Sequence, residues 1–129
     1  MLSITKRFRF EAAHRLENWP HDHQCHRLHG HSYVLEITLF SKPGYNIGSR
    51  TKPGVILDFA EMSTIVKQCI IERWDHRNLN EVLGIKDTTA EYLVHKIHHE
   101  LKQTPLGEYA MSIRLYETQD GWAELKPVE

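Results

Sequence analysis

Cysteine and long apolar runs are both scarce in this sequence. The 129-residue chain has two cysteines, Cys25 and Cys69, too few for the disulfide framework of a small secreted domain. No apolar run approaches the roughly 20 residues of a membrane-spanning helix. The first residues, MLSITKRFRFE, lack the continuous apolar segment of a signal peptide. We therefore expect reduced thiols, a cytoplasmic location and no membrane partner.

An excess of positive charge is also missing. Sixteen lysines and arginines stand against 17 aspartates and glutamates, so the formal net charge is −1. Such a chain has no general positive field for a phosphate backbone, which argues against a nucleic-acid partner. Its length fits one domain, residues 1–129. What the chain does have is ten histidines, and these need an explanation.

Alternating polar and apolar residues predict four main strands. The first two are separated by an aperiodic segment, residues 17–28, that we expect to be a loop. A long turn rich in proline and glycine, residues 41–54, leads into a short strand piece from Val55 to Leu57. The four main strands are predicted at Ser3 to His14, about His29 to Leu39, Tyr109 to Glu117, and 122–126.

Two helices are predicted from capping boxes, in which a polar side chain and a glutamate three residues later bond the first helical amides. The pairs are Asp58 with Glu61 and Thr88 with Glu91, and the segment 74–80 between the helices is expected to be a loop. The resulting order, ββααββ, indicates an α+β fold. The first helix is expected to end near Arg73 and the second near Lys102. The expected buried positions are Phe59, Met62, Val66, Cys69 and Ile70 on the first helix and Leu93, Ile97 and Leu101 on the second.

Three histidines share the apolar face of the first two predicted strands. His29 and His31 are two residues apart, so on a strand both rings leave the same face. His14 ends the apolar face of the preceding strand, and pairing of the two strands brings the three rings together. Three neutral imidazoles suit a zinc ion and leave a fourth position open for water or substrate. The alternative is three buried histidines without a metal.

Cys25 lies in a predicted loop four residues before His29, in the sequence CHRLHGH. A loop thiol near a metal and basic groups can have a lowered pKa and act as a base or nucleophile. Cys69, on an apolar helix stripe, is expected to be inert. Cys25 can also be the fourth ligand of a closed structural zinc site, so its residue type leaves both uses open.

Two further positions can carry chemistry. Asp75 next to His76 can orient the imidazole and give a proton relay, although a solvated helix end has the same composition. Glu117 points to the apolar side of its predicted strand, where a carboxylate is costly unless it is paired. A heterocycle with adjacent N–H donors would satisfy it, as would an arginine of the fold or exposure to solvent.

The remaining histidine clusters and cations have simpler explanations. Those on the second helix are expected to form a solvated stripe, and those in the 17–28 loop to bind at most adventitious metal. These histidines are His95, His98 and His99 on the helix and His21, His23 and His26 in the loop. The charges of Arg27 and Lys42 can bind phosphate groups or simply be solvated at the surface.

Five spaced motifs together resemble the 6-pyruvoyl-tetrahydropterin synthase family. They follow one another from residue 8 to about residue 118, nearly the whole chain. The spacing of three residues between the cysteine and HGH is similar to that in the 6-carboxytetrahydropterin synthase branch of the family, which belongs to queuosine biosynthesis. The motifs are FEAAHRL (10–16), CHRLHGH (25–31), DFAEM (58–62), DHRNLN (75–80) and LYET (115–118).

The resemblance implies a T-fold, a four-stranded antiparallel sheet with two helices on one face. It implies that three subunits close a twelve-stranded barrel, that two trimers stack into a homohexamer, and that active sites lie between subunits. Ala90 departs from the threonine or serine common in the family before the helix glutamate. The implied roles are zinc ligands for His14, His29 and His31, catalysis for Cys25, Asp75 and His76, and pterin binding for Glu117 and Thr89.

The implied enzyme is a zinc-dependent lyase that converts 7,8-dihydroneopterin triphosphate to 6-carboxy-5,6,7,8-tetrahydropterin, acetaldehyde and triphosphate. In it, zinc is the Lewis acid, the Cys25 thiolate removes a proton, and His76 oriented by Asp75 passes protons on. Two alternatives remain. One is a 6-pyruvoyl-tetrahydropterin synthase that eliminates triphosphate only, and the other is a non-catalytic zinc-stabilised binding module in which Cys25 is a ligand.

Overall fold

The computed structural model describes residues 1–45 and 54–128. It is a sheet packed against helices. The strands are β1 (Ser3–His14), β2 (His29–Phe40), β3 (Arg77–Asn78), β4 (Met111–Tyr116) and β5 (Trp122–Leu125), and the helices are α1 (Phe59–Val66), α2 (Glu72–Trp74), α3 (Leu79–Leu83) and α4 (Ala90–Lys102). The strand order is β3-β1-β2-β4-β5, in which the four long strands pair antiparallel and β3 runs parallel to β1. The predicted α+β class is therefore confirmed.

The long pairing of β1 with β2 forms the centre of the sheet. Its register runs from Ser3 opposite Phe40 to His14 opposite His29. Alternate residues of both strands are buried over most of their length. The residues between them are mostly exposed on β1, as at Arg7, and mostly half-buried on β2. Lys6, the polar residue on the apolar side of β1, places its ammonium 5.9 Å from the centre of the Phe59 ring, a cation–π contact that offsets the mismatch.

The first predicted helix is continuous but not uniform. The Asp58 side chain accepts a hydrogen bond from the amide of Ala60 and begins α1. The chain then passes through a π-helical turn, Lys67–Ile71, into α2. The predicted stripe is wrong at its first position, because Phe59 is 48% exposed. Phe59 is the first residue of the helix, and its ring lies beside the Lys6 ammonium.

The second predicted helix begins one residue later than its capping signal indicated. The side chain of Thr89, not that of Thr88, accepts a hydrogen bond from the Tyr92 amide and caps α4. Thr88 is fully buried and bonds elsewhere. The inward positions predicted for this helix, Leu93, Ile97 and Leu101, are all buried.

Three sequence expectations about the connections are wrong. Residues 74–80 are not a simple loop, because they contain the end of α2, the two-residue strand β3 and the start of α3. The sheet therefore has five strands instead of four. Val55 to Leu57 form no strand. Most of the predicted long turn, residues 46–53, lies outside the described residues. Across the described chain, no helix is long and apolar enough to cross a membrane.

An aromatic group joins the sheet to the helices. Phe10 of β1 stacks on Tyr33 of β2 with ring centres 4.9 Å apart, and Trp74 meets Phe10 edge-on at 5.9 Å. All three are buried. Because Trp74 ends α2 immediately before Asp75 and His76, its packing also fixes where these two polar residues leave the core.

We expect Trp74→Ala to destabilise the protein by about 3–5 kcal/mol, since it leaves a large cavity against Phe10. Urea unfolding followed by far-UV circular dichroism measures this. Trp19→Ala is the matched control, because Trp19 is 41% exposed and its loss should change stability by less than about 1 kcal/mol. Equal effects of the two substitutions would contradict the assigned core.

Candidate active site

The three predicted metal ligands meet at one end of the β1–β2 pair. His14 lies opposite His29, and His31 lies opposite Ala12 in the same register. One ligand atom from each histidine lies within 4.8 Å of the others. The centre of the His14 ring is 4.6 Å from that of the His29 ring and 5.0 Å from that of the His31 ring. The strand register thus brings the three rings together as the sequence predicted.

Hydrogen bonds on the outer side of the cluster set which nitrogen faces inward. His14 Nδ1 lies 2.8 Å from the carbonyl oxygen of Thr88, and His29 Nδ1 lies 2.7 Å from that of Arg27. A carbonyl only accepts, so in both rings Nδ1 donates its proton and Nε2 keeps its lone pair. The buried Nε2 atom of His14 has no hydrogen-bond partner among the described residues. Metal-binding histidines are oriented in this way.

Electrostatics favour the neutral, ligating form of His14 and His31. Burial, and secondarily the neighbouring His29 and His31, lower the pKa of His14 from 6.5 to about 4. Burial and His29 also lower the pKa of His31. A neutral imidazole with a free lone pair suits zinc. The chemistry of this donor set and the orphaned Nε2 atom of His14 therefore both fit a metal ion.

Cys25 lies outside the three-histidine set. Among the described residues, the candidate metal cluster holds no thiol and no carboxylate. Cys25 is half-buried in the 3-10 turn Gln24–His26 and is not in a disulfide. Its carbonyl accepts from the Leu16 amide at 2.8 Å, and its amide donates to His23 Nδ1 at 3.1 Å. The turn is thereby tied to the chain just after His14.

Asp75 and His76 are held by the backbone of β1. The Asp75 carboxylate accepts from the Glu11 amide at 2.9 Å and lies 3.0 Å from His76 Nδ1. The Glu11 amide and, to a lesser degree, His76 lower the pKa of Asp75. The His76 amide donates to the Glu11 carbonyl at 2.5 Å. The predicted contact between the two side chains is present, and Nε2 of His76 points away from Asp75.

His76 has the backbone conformation usually reserved for glycine. Its φ is +60°, the one positive value among the described non-glycine residues, and its side chain is 77% exposed. An open cleft of about 450 Å³ contains both His76 and His31, with Ser32 and Arg77 in its wall. The exposed imidazole therefore shares a surface cleft with one of the metal-ligand candidates.

Glu117 lies in a second cavity, of about 460 Å³, together with Glu91 and Trp122. Burial and then the Glu91 carboxylate raise the pKa of Glu117, while His29 opposes them. Its charge also helps to raise the pKa of the buried Tyr33 hydroxyl. The structure thus brings Glu117 close to the histidine cluster on a half-buried wall, where a ligand with N–H donors would stabilise its charge.

Thr89 uses its side chain as the cap of α4, although Ala90 and Glu91 beside it line the Glu117 cavity. The histidines of α4 form no metal cluster within the described part of the chain. In the loop, the His21 and His26 rings lie 4.2 Å apart. Lys42 is used in an ion pair with Glu108 at 2.9 Å, and Arg27 is exposed.

Sequence reasoning assigned Thr88 and Glu91 to a capping box and so missed their places in the site. Thr88 bonds His14, and Glu91 faces Glu117. The signal for the first was available, since two adjacent threonines precede the helix and one of them suffices as a cap. For Glu91 no signal in the sequence separates a capping glutamate from one that lines a cavity.

A family model described as 6-pyruvoyl tetrahydropterin synthase matches residues 3–127. The chain belongs to this family. It is similar to two proteins named 6-carboxy-5,6,7,8-tetrahydropterin synthase. The one from Haemophilus influenzae is 30% identical over 113 residues, covering 88% of this chain and 77% of the relative. The one from Synechocystis is 34% identical over 103 residues, covering 80% and 77%.

The fold is similar to a solved structure of 6-pyruvoyl tetrahydropterin synthase from Caenorhabditis elegans, with a TM-score of 0.80, 21% identity, and coverage of 98% of this chain and 96% of that one. The T-fold expected from the motifs is confirmed. The predicted family and the prediction of an enzyme of the lyase class are also confirmed by the matches.

The lowered pKa of His14 predicts that the metal-free protein loses stability in acid. Its pKa is about 4 in the folded chain against 6.5 ordinarily, so the unfolded chain takes up the proton first. The contribution is present above pH 6.5 and is lost as the pH falls toward 4, by at most about 3 kcal/mol. Urea unfolding between pH 4 and 7 measures it.

His14→Gln should flatten this pH dependence, whereas His99→Gln, an exposed change on α4, should leave it as it is. An unchanged slope in His14→Gln would show that the buried ring is not its source.

Proposed function

We propose that this protein converts 7,8-dihydroneopterin triphosphate to 6-carboxy-5,6,7,8-tetrahydropterin, acetaldehyde and triphosphate with zinc as cofactor, a step of queuosine biosynthesis. The observation that carries the proposal is the buried, unpartnered Nε2 of His14 beside the ligand atoms of His29 and His31. The relatives named for this product, and the three-residue gap between Cys25 and HGH, support this choice of product.

Glu117 is proposed to anchor the pterin ring. Its carboxylate is half-buried beside a second carboxylate, Glu91, which disfavours its charge. A pterin offers neighbouring ring and amino N–H groups that bond one carboxylate in a bidentate manner. Thr89, at the start of α4 next to this cavity, is proposed to contribute to pterin binding. The ring would then lie between the wall of α4 and the histidine cluster.

The metal, when bound by His14, His29 and His31, supplies Lewis acidity to the oxygens of the substrate side chain. Cys25 is proposed to remove a proton as a thiolate. His76 donates from Nδ1 to Asp75, so its Nε2 is free to accept and return protons. The short bonds from Glu11 to both residues keep this pair in place while the proton moves.

Assembly and location follow from the same family and are proposed here. We propose one T-fold domain over residues 1–129, a homohexamer built as a dimer of trimers, and a cytoplasmic location. The exposed position of His76 supports a shared site, since its imidazole is open to a neighbouring subunit. Cys25 and His76 of one site would then come from different chains.

The reaction is tested by incubating zinc-loaded protein with 7,8-dihydroneopterin triphosphate and identifying the products by mass spectrometry. We expect the carboxylated tetrahydropterin and acetaldehyde in equal amounts. A product that keeps all three side-chain carbons would instead establish a 6-pyruvoyl-tetrahydropterin synthase, and absence of any turnover would contradict both enzymes.

Cys25→Ala separates the enzyme from a zinc-stabilised binding module. Because the three-histidine cluster does not include Cys25, the variant should retain one zinc per chain with unchanged affinity and lose turnover by at least about 100-fold. Inductively coupled plasma mass spectrometry and the product assay measure the two quantities. Cys69→Ala is the matched control and should keep both. Loss of zinc from Cys25→Ala would show a fourth ligand.

Glu117→Gln tests the pterin anchor. The amide keeps the shape of the side chain but loses the charge that the N–H donors bond, so KM should rise by about 10- to 100-fold, equivalent to roughly 1.5–3 kcal/mol. Steady-state kinetics measure it. Glu108→Gln removes a surface carboxylate that pairs with Lys42 and should leave KM within twofold. An unchanged KM in Glu117→Gln would remove this residue from the binding site.

A further inference from the structure

Thr88 contacts the candidate metal ligand His14 on its Nδ1 side, opposite the Nε2 atom that would bind a metal ion. It is fully buried and lies two residues before α4. Both its carbonyl oxygen, at 2.8 Å, and its hydroxyl, at 3.0 Å, are within hydrogen-bond distance of His14 Nδ1. The imidazole proton is thus shared between two oxygens of one residue. This arrangement fixes both the tautomer and the plane of the ring.

Asn80 connects the strand that carries His14 to the segment that carries Thr88. Its Oδ1 accepts from the Arg15 amide at 2.9 Å, and its Nδ2 donates to the Arg15 carbonyl at 2.8 Å. The same Nδ2 lies 3.2 Å from the carbonyls of Ile85 and Lys86. One amide side chain therefore bonds the residue after His14 and the chain just before Thr88.

The hydroxyl of Thr88 closes the network. It lies 3.4 Å from the Arg15 carbonyl and 3.5 Å from Asn80 Oδ1, the long end of the hydrogen-bond range. Further along the chain, the Glu17 amide donates to the Lys86 carbonyl at 3.1 Å, and Asn18 Nδ2 donates to the Asp87 carboxylate at 2.8 Å. The contacts of Asn80 and Thr88 are the ones that bond the residue directly after His14 and His14 itself.

We propose that Asn80 and Thr88 are positioning residues of the metal centre. Asn80 sets the distance between the end of β1 and the 85–88 segment, and Thr88 holds His14 with its Nε2 lone pair aimed at the ion. The inference rests on the metal site of the proposed function. It goes beyond that function in assigning the affinity for the metal ion partly to the Asn80 amide and the Thr88 hydroxyl, neither of which contacts the ion.

The test compares Asn80→Ala, Thr88→Val and the conservative Thr88→Ser. In the metal-free protein, proton–nitrogen correlation spectra of the imidazoles should show His14 as the Nδ1–H tautomer in the wild type and Thr88→Ser. Asn80→Ala should show a mixture of tautomers, because the Thr88 carbonyl is no longer held against His14 Nδ1. Thr88→Val keeps that carbonyl and should keep the Nδ1–H tautomer, but it loses the hydroxyl that helps to fix the plane of the ring. Zinc affinity, measured by competition with a chromophoric chelator, should fall by about 10- to 100-fold in these two variants.

Asn78→Ala is the matched control. Asn78→Ala also removes a side-chain amide that bonds the backbone, since Asn78 Oδ1 accepts from the Asn80 backbone amide at 3.0 Å at the start of α3. Asn78 makes no hydrogen bond to Arg15 or to the 85–88 segment among those found in the described chain. Its midpoint of thermal unfolding should fall, while the His14 tautomer stays unchanged and zinc affinity stays within threefold.

Wild-type zinc affinity in both Asn80→Ala and Thr88→Val would overturn the proposal, as would a wild-type tautomer in Asn80→Ala or losses in Asn78→Ala equal to theirs. If Asn80→Ala does not fold, the zinc affinity of Thr88→Val against that of Thr88→Ser decides. If the wild type binds no zinc, the proposed metal centre fails, and the tautomer of Asn80→Ala alone decides whether Asn80 positions His14.

Discussion

The register of β1 against β2 is the constraint on which the rest of this site depends. It places His14 opposite His29 and carries His31 to the same end of the sheet. A slip of one residue would turn His14 to the opposite face from His29 and His31, because side chains alternate along a strand. The same slip would expose Phe8 and Phe10, which are buried. Burial of the aromatic core and assembly of the three candidate metal ligands are therefore enforced by one pairing.

Burial also decides the chemistry of the cluster. A ring withdrawn from water resists protonation, and the carbonyls of Thr88 and Arg27 accept the one proton that each neutral ring carries. The three rings gain little from one another, since the bonds that His14 and His29 make run outward to the backbone. A cation at their centre stabilises all three at once. The fold thus presents lone pairs that its own residues do not use.

The parts of the structure that could be predicted from the sequence are those set by local periodicity. β1, β2 and the buried face of α4 follow directly from alternation and helical spacing. The exposure of Phe59 could not be predicted in this way. Burial at a helix end depends on which other elements pack against it, and the spacing of apolar residues along the helix contains no information on that. The two-residue strand β3 could not be predicted either, since two residues show no periodicity and their pairing with Ala12 and Ala13 is a contact between distant parts of the chain.

The backbone at His76 has a consequence for how this chain balances stability against chemistry. A left-handed conformation at a residue with a side chain costs about 1–2 kcal/mol relative to glycine. Selection for stability alone would favour glycine or asparagine there. The imidazole at that position therefore stands against the preference of the polypeptide. If His76 has the proton-transfer role proposed above, a screen for thermostable variants should recover substitutions at residue 76 that stabilise the protein and lower the proposed activity.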